Sequence, residues 1–308
     1  MRVLISPSSF GQCGDEPLTI LKKNQIEIII SPYGRKLTEE EVIDLASGCI
    51  GIVAGVEPLT AKVMCALPAL KCISRVGVGL DNVDLEYAKH RGIAVVSTPD
   101  APTRAVAELT IAMTLALLRR IPQADANLKE KKWKKEIGTL LFGKKIGIIG
   151  LGRIGKMVTT LFRGLGNNVM GFDVNPNLTW AEQNCVMLTD MDTLLKESDI
   201  ISLHIPGNLN GTFVIGQLEL SKCKTEAFLL NIARGGIVDE EALYQALKLN
   251  KLKGAALDVF FKEPYDGPLC ELDNVVLTPH LGSYAAESKL QMEIDAVNNL
   301  IQVLKEKD

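Results

Sequence analysis

Lys145-Ile-Gly-Ile-Ile-Gly150-Leu-Gly152-Arg-Ile-Gly155 is the stretch that decides the fold of this chain. An apolar, β-branched run leads directly into G-x-G-x-x-G, and a helical pattern from Met157 to Leu165 follows. In such a strand-turn-helix unit Gly150 permits the tight turn, Gly152 lets the backbone approach a pyrophosphate, and Gly155 lets helix and strand pack closely. The anion then rests on the free N–H groups of the helix start. Asp173 arrives 18 residues after Gly155 and closes the next strand-like run, Asn168-Val-Met-Gly-Phe-Asp. The fingerprint wants an acid at that place for the ribose hydroxyls. A carboxylate there repels a 2′-phosphate, so the spacing predicts NAD over NADP, with Arg153 and Asn175 the residues able to approach an extra phosphate.

Working outward, short β-branched runs alternate with helical patterns on both sides of this unit. Strands are expected near Val3–Ile5, Ile26–Ile30, Ile50–Val53, Cys72–Arg75 and Ile93–Val95, then near 146–149, 168–172, 199–203, 227–231 and 254–258. Two such series predict an α/β protein of two doubly wound parallel-sheet (Rossmann-like) domains with a cleft between them. From Ala285 onward Leu290, Ile294, Val297, Ile301 and Leu304 form one helical stripe, expected to pack back onto the first domain. The expected organisation is therefore a substrate-binding domain of residues 1–98 with 285–308, and an NAD-binding domain of residues 99–284. Between Thr103 and Arg119 apolar residues fall on nearly every face, which predicts a helix buried all round, as an interdomain or dimer element would be.

The 308 residues suit two domains, each able to bury a core. Apolar residues make up 47% and charged residues 23%, the balance of an ordinary folded protein. A net charge of −3 gives no electrostatic footprint for nucleic acid or an anionic membrane. The lysines from Lys129 to Lys135 alternate with Glu130, Glu136 and Trp133 and are expected on a solvated helix face. Seven cysteines without a C-x-x-C spacing argue against zinc or a redox motif, so no metal is expected. They read as thiols of a reducing compartment. With neither a signal-peptide core nor an apolar stretch of membrane-spanning length, the expected location is cytoplasmic.

Only three histidines compete for general acid/base work near neutral pH. His90 sits in a polar helix end and reads as a surface residue. His204 ends a strand in Ser202-Leu-His-Ile-Pro206, either beside a cofactor or packed. His280 follows Val275-Val-Leu-Thr-Pro279 and stands at the carboxyl end of a strand, the edge where open α/β sheets place their ligands. Two further segments end at that edge. Phe228-Leu-Leu-Asn-Ile-Ala-Arg234 brings a guanidinium fork matched to a carboxylate. Gly254-Ala-Ala-Leu-Asp258-Val-Phe-Phe-Lys-Glu263 brings a carboxylate able to pair with His280 and hold its tautomer. Alone, Arg234 also fits a surface ion pair and Glu263 a turn residue.

At this point the chain resembles the D-isomer-specific 2-hydroxyacid dehydrogenases, above all their phosphoglycerate branch. The matching segments are Arg75-Val-Gly-Val-Gly-Leu-Asp-Asn-Val-Asp84, Ala105-Val-Ala-Glu-Leu109, Gly150-Leu-Gly-Arg-Ile-Gly155, Asn231-Ile-Ala-Arg-Gly-Gly-Ile-Val-Asp239, Ala256-Leu-Asp-Val-Phe260 and Thr278-Pro-His-Leu-Gly282. The resemblance implies an NAD-dependent oxidoreductase that moves a hydride between nicotinamide and C2 of a small hydroxy or keto acid, as a homodimer. It implies Arg234, Glu263 and His280 as catalytic residues. It places substrate contacts on the backbone of Val76, Gly77, Val78 and Gly79. NAD contacts fall on Val78, Arg153, Ile154, Asp173, His204, Ile205, Pro206, Ile232, Ala233, Asp258 and Gly282.

The departures bear on the substrate. Phosphoglycerate enzymes carry an arginine-containing stretch after the third strand, where this chain has Val53-Ala-Gly-Val-Glu-Pro58, with an acid and no base. Pro102 stands where relatives commonly have asparagine, and the chain is expected to lack the regulatory domain that some relatives append. Arg104 replaces a small or apolar residue at a helix start, and we expect it to recognise a substrate anion. Its alternatives are a solvated side chain or a pair with Asp100 or Glu108. Hydroxypyruvate or glyoxylate reduction is the alternative activity, and an NAD-sensing corepressor-like module the alternative class. Formate dehydrogenase relatives are disfavoured because they have glutamine where Glu263 stands.

Overall fold

In a computed structural model, residues 1–207 and 213–306 are described. They divide into two compact units, Met1–Pro102 with Ser283–Asp308, and Thr103–Gly282. Each is built on one parallel sheet, so the chain is α/β with two doubly wound domains.

In the first unit β1 (Arg2–Ile5), β2 (Glu27–Ile30), β3 (Gly51–Ala54), β4 (Cys72–Arg75) and β5 (Ala94–Val96) lie in the order β2-β1-β3-β4-β5. Burial on both sheet faces explains why these strands read as continuous apolar runs. Leu4, Ile52 and Ile73 face one core with Val42, Val63 and Met64. Val3, Ile5, Val53 and Cys72 face the other, where Val297, Leu300 and Leu304 of the helix Ala286–Glu306 complete the packing. That helix approaches so closely that a Cβ on Gly51 would stand 2.8 Å from Leu300 Cδ1. Its buried stripe is Met292, Ala296, Val297, Leu300, Ile301 and Leu304, turned slightly from the expected one, with Leu290 and Ile294 at the half-buried margin.

In the second unit β6 (Lys145–Ile149), β7 (Asn168–Phe172), β8 (Met187–Leu188), β9 (Ile200–Leu203), β10 (Phe228–Asn231), β11 (Gly254–Leu257) and β12 (Val275–Leu277) take the order β12-β11-β10-β9-β6-β7-β8. Alternation again divides the faces. Ile146, Ile148, Phe228 and Leu230 pack under the helices Thr103–Arg119 and Arg153–Gly164. Ile149, Ile201, Leu229 and Leu257 pack against Leu194, Leu220, Leu243 and Leu247.

Two expectations are corrected here. The helix Thr103–Arg119 is not buried all round: Val106, Ala107, Thr110, Met113, Thr114, Leu117 and Leu118 form its buried face, while Arg104, Glu108, Ala112 and Leu115 are exposed. A helix lying on a sheet buries one side only, however apolar the other. The lysines from Lys131 to Lys135 are not on a helix. The helix Ile121–Lys129 ends before them, Lys131 takes a left-handed φ of 62°, and the following residues run without helix or strand through Phe142. The helix Ile121–Lys129 itself, with Pro122 in its first turn, was not anticipated from the sequence.

Candidate active site

Because every strand of the second unit is parallel, all its carboxyl ends share one edge. Along that edge Asp258 directly follows β11, Asp173 follows β7, His204 follows β9 and Gly150 follows β6. Arg234 and His280 each stand three residues beyond their strands, β10 and β12. The sheet thus gathers six residues that are up to 130 positions apart in the chain.

His280 Nδ1 lies 2.9 Å from Glu263 Oε2. With Nδ1–H donating to the carboxylate, Nε2 carries the lone pair and can take a proton. Glu263 is itself fixed, since its Oε1 accepts the Phe260 amide at 3.1 Å. The backbone of His280 is left-handed, at φ 56°. A non-glycine residue holds that conformation only where its surroundings impose it. Here the imposing group is Asp258, fully buried, whose Oδ1 accepts Thr278 Oγ1 at 2.6 Å and the Leu281 amide at 2.7 Å while Oδ2 accepts the Gly282 amide at 2.8 Å. Burial holds the Asp258 carboxyl above the usual range, and these three donors offset only part of that rise.

Arg234 is half-buried on a turn locked by the buried Asn231, whose Nδ2 donates to the Arg234 carbonyl at 2.9 Å and whose Oδ1 accepts the Ala233 amide at 3.2 Å. A Cβ on Gly235 would stand 1.9 Å from the Phe260 carbonyl oxygen, so the loops after β10 and β11 touch. The arrangement brings a guanidinium and a tautomerically fixed imidazole to the ends of β10 and β12, the two strands that flank β11.

The glycine loop fits a dinucleotide. Gly150 has φ 94°, and a Cβ on it would strike the His204 carbonyl at 2.4 Å; one on Gly155 would lie 1.9 Å from the Gly150 oxygen. At Gly152 nothing lies within 4 Å, which leaves room for a phosphate beside the start of the helix Arg153–Gly164, where no side chain caps the first turn. Asp173 Oδ2 accepts the Leu151 amide at 2.7 Å and Oδ1 the Asn175 amide at 2.8 Å, so the acid also ties the glycine loop to β7.

His204 cannot serve as a reserve base. Its Nε2 lies 2.8 Å from Ser202 Oγ, its Nδ1 is sealed from solvent without a partner, and burial drives its pKa down to about 3. Its backbone does wall the Gly150 turn. His90 is exposed at the end of its helix, near Tyr87.

In the first unit the Val76 amide donates to the Ala54 carbonyl at 2.8 Å and the Gly77 amide to Thr98 Oγ1 at 2.8 Å. Arg104 takes one of its alternative partners, its Nε donating to Glu108 Oε1 at 2.8 Å in an exposed ion pair one helical turn long. Asn231, Thr278 and the loop-holding role of Asp258 escaped the sequence reading. The available signal was a polar residue ending or following an otherwise apolar strand.

A family model described as D-isomer specific 2-hydroxyacid dehydrogenase, NAD binding domain, matches residues 111–282. A D-3-phosphoglycerate dehydrogenase of Archaeoglobus fulgidus is 40% identical over 310 residues, covering 99% of this chain and 58% of the relative, so the chain spans little more than half of that protein. A glyoxylate reductase of Thermofilum pendens is 41% identical over 260 residues, 81% of this chain and 76% of the relative. A solved structure of a Thermus thermophilus protein superposes with a TM-score of 0.92 at 35% identity, covering 99% of this chain and 97% of that one. The chain belongs to the D-isomer-specific 2-hydroxyacid dehydrogenase family, and residues 111–282 are its NAD-binding domain. Among the described residues no helix is long and apolar enough to cross a membrane.

Proposed function

We propose that this chain is an NAD-dependent dehydrogenase that interconverts a small D-2-hydroxy acid and its 2-keto acid. The observation that carries the reading is the His280–Glu263 pair at 2.9 Å on a backbone forced into place by Asp258. NAD, when bound, would accept the hydride that leaves C2 of the hydroxy acid. His280 Nε2 takes the hydroxyl proton during oxidation, and Glu263 stabilises the resulting imidazolium. Arg234 holds the substrate carboxylate, and backbone donors among Val76, Gly77, Val78 and Gly79 assist. The glycines 150, 152 and 155 with Arg153 and Ile154 hold the pyrophosphate, and Asp173 holds the ribose. The other NAD contacts are Ile205, Pro206, Ile232, Ala233 and Gly282, with His204 through its backbone.

In this reading residues 1–98 with 285–308 bind substrate and residues 99–284 bind NAD. The protein works as a homodimer, supported by the exposed apolar side chains of Trp133, Ile137, Leu140 and Phe142, which an isolated unit would leave in water. Seven free thiols support a reducing, cytoplasmic setting. The test is NADH absorbance with a panel of 2-keto and D-2-hydroxy acids. Turnover should fall by roughly 10² to 10⁴ in His280→Ala. Unchanged kcat in that variant would overturn the assignment.

A further inference from the structure

We propose that Glu57 selects substrates with a single anionic group, so that the chain acts on small 2-keto or 2-hydroxy monocarboxylates with a neutral substituent at C3 and discriminates against phosphate esters. The proposal rests on the dehydrogenase reading above.

The carboxyl edge of the first unit's sheet leaves few donors open to an incoming anion. Glu57 is 2% exposed, and its carboxylate turns back into the fold to accept the Gly55 amide at 3.0 and 3.1 Å and the Ser6 hydroxyl. Its own carbonyl accepts Asn82 Nδ2 at 2.5 Å, which pins the loop. The chain's own carboxylate therefore occupies the donors that the ends of β1 and β3 would offer to an incoming anion. Beyond β4 the Val76 and Gly77 amides are spent on Ala54 and Thr98, and among the described residues no hydrogen bond engages the amides of Val78 and Gly79. Those two suffice for one carboxylate.

Cations are sparse along the same edge, confined to Arg35 and Lys36 after the edge strand β2 and to Arg75 at the end of β4. Residues 6–15, 54–60, 76–84 and 97–102 contain no lysine or arginine, yet they contain Asp15, Glu57, Asp81, Asp84 and Asp100. Arg75, at the end of β4, packs against the Gly77 turn, where a Cβ would stand 2.5 Å from its Nη1, and its Nε is buried. Arg35, beyond the edge strand β2, is held by Glu41 at 2.6 and 2.8 Å. A phosphate needs charge-assisted donors to replace its water, and beside Glu57 it would meet like charge instead.

The test compares hydroxypyruvate with 3-phosphohydroxypyruvate, which differ only in the phosphate, as substrates of the 308-residue chain with NADH. We expect kcat/KM to favour hydroxypyruvate roughly tenfold or more, since like-charge juxtaposition is costly. Glu57→Gln keeps an acceptor for Gly55 but removes the charge, and should narrow that ratio severalfold, with thermal unfolding run beside it as the folding control. A preference for the phosphorylated acid, or a ratio unmoved in a folded Glu57→Gln, would overturn the proposal; if the variant does not fold, the wild-type ratio decides. If neither acid turns over, the dehydrogenase reading fails. Calorimetric titration of D-glycerate and D-3-phosphoglycerate into the NADH-loaded chain then still decides the anion preference: tighter binding of glycerate supports it, and tighter binding of the phosphate ester or no binding of either overturns it.

Discussion

The main-chain amide of His280 donates to the carbonyl of Asp258 at 2.8 Å, and the Asp258 carboxylate takes the two amides that follow His280. Asp258 therefore positions the imidazole without touching it. In Asp258→Ala three donors lose their acceptor, at roughly 1–3 kcal/mol for each buried donor left unmet. We expect a lowered Tm and a kcat reduced far more than the affinity for NADH, which binds mainly through the Gly150 to Gly155 loop. Kinetics and NADH fluorescence titration on the same preparation check this, and an unchanged kcat would show that the 278–282 loop holds itself.

His204 gives a pH dependence of stability. Its folded pKa, about 3, lies below the ordinary histidine value of 6.5, so the unfolded chain binds a proton across that window while the folded chain does not. Stability from this group is complete above pH 6.5 and is lost as pH falls toward 3, with a slope of at most about 1.4 kcal/mol per pH unit. Denaturant unfolding of wild type and His204→Gln between pH 7 and 4 should show a shallower slope in the variant. Parallel curves would mean that the imidazole is hydrated.

Asp173 has two duties, and both are testable. Its carboxylate takes the amides of Leu151 and Asn175, and it stands where the ribose is expected. Asp173→Ala should raise the KM for NAD by roughly tenfold or more, the cost of about one charge-assisted hydrogen bond. The preference for NAD over NADP in kcat/KM should shrink as well. An unaltered ratio would remove Asp173 from cofactor choice.

Ile137 is 99% and Trp133 82% exposed, so changing them leaves the cores of either unit intact. Ile137→Asp with Trp133→Ala should convert a dimer to a monomer in light scattering after gel filtration, with far-UV circular dichroism unchanged. A wild-type monomer at micromolar concentration would sink the dimer assignment.

What the sequence determined by itself is local. Strand positions follow from β-branched runs buried on both faces, so Val3–Ile5, Ile146–Ile149 and Phe228–Asn231 could be placed to within a residue. The glycine loop was legible because backbone geometry alone demands Gly150 and Gly155, and His280, Arg234 and Glu263 because they follow such strands. Tertiary structure decided whatever depends on a distant neighbour. Leu115 is exposed in a helix that reads as wholly apolar, because a helix can rest on a sheet with only one side. Asp258 finds Thr278, Leu281 and Gly282 through positions that periodicity does not encode. Glu57 reads as a loop acid in the sequence. Only the pairing of β1 with β3 brings Ser6 beside Gly55 and makes that acid the occupant of its own donor site, because a buried carboxylate must take its hydrogen bonds from whatever the fold brings within reach.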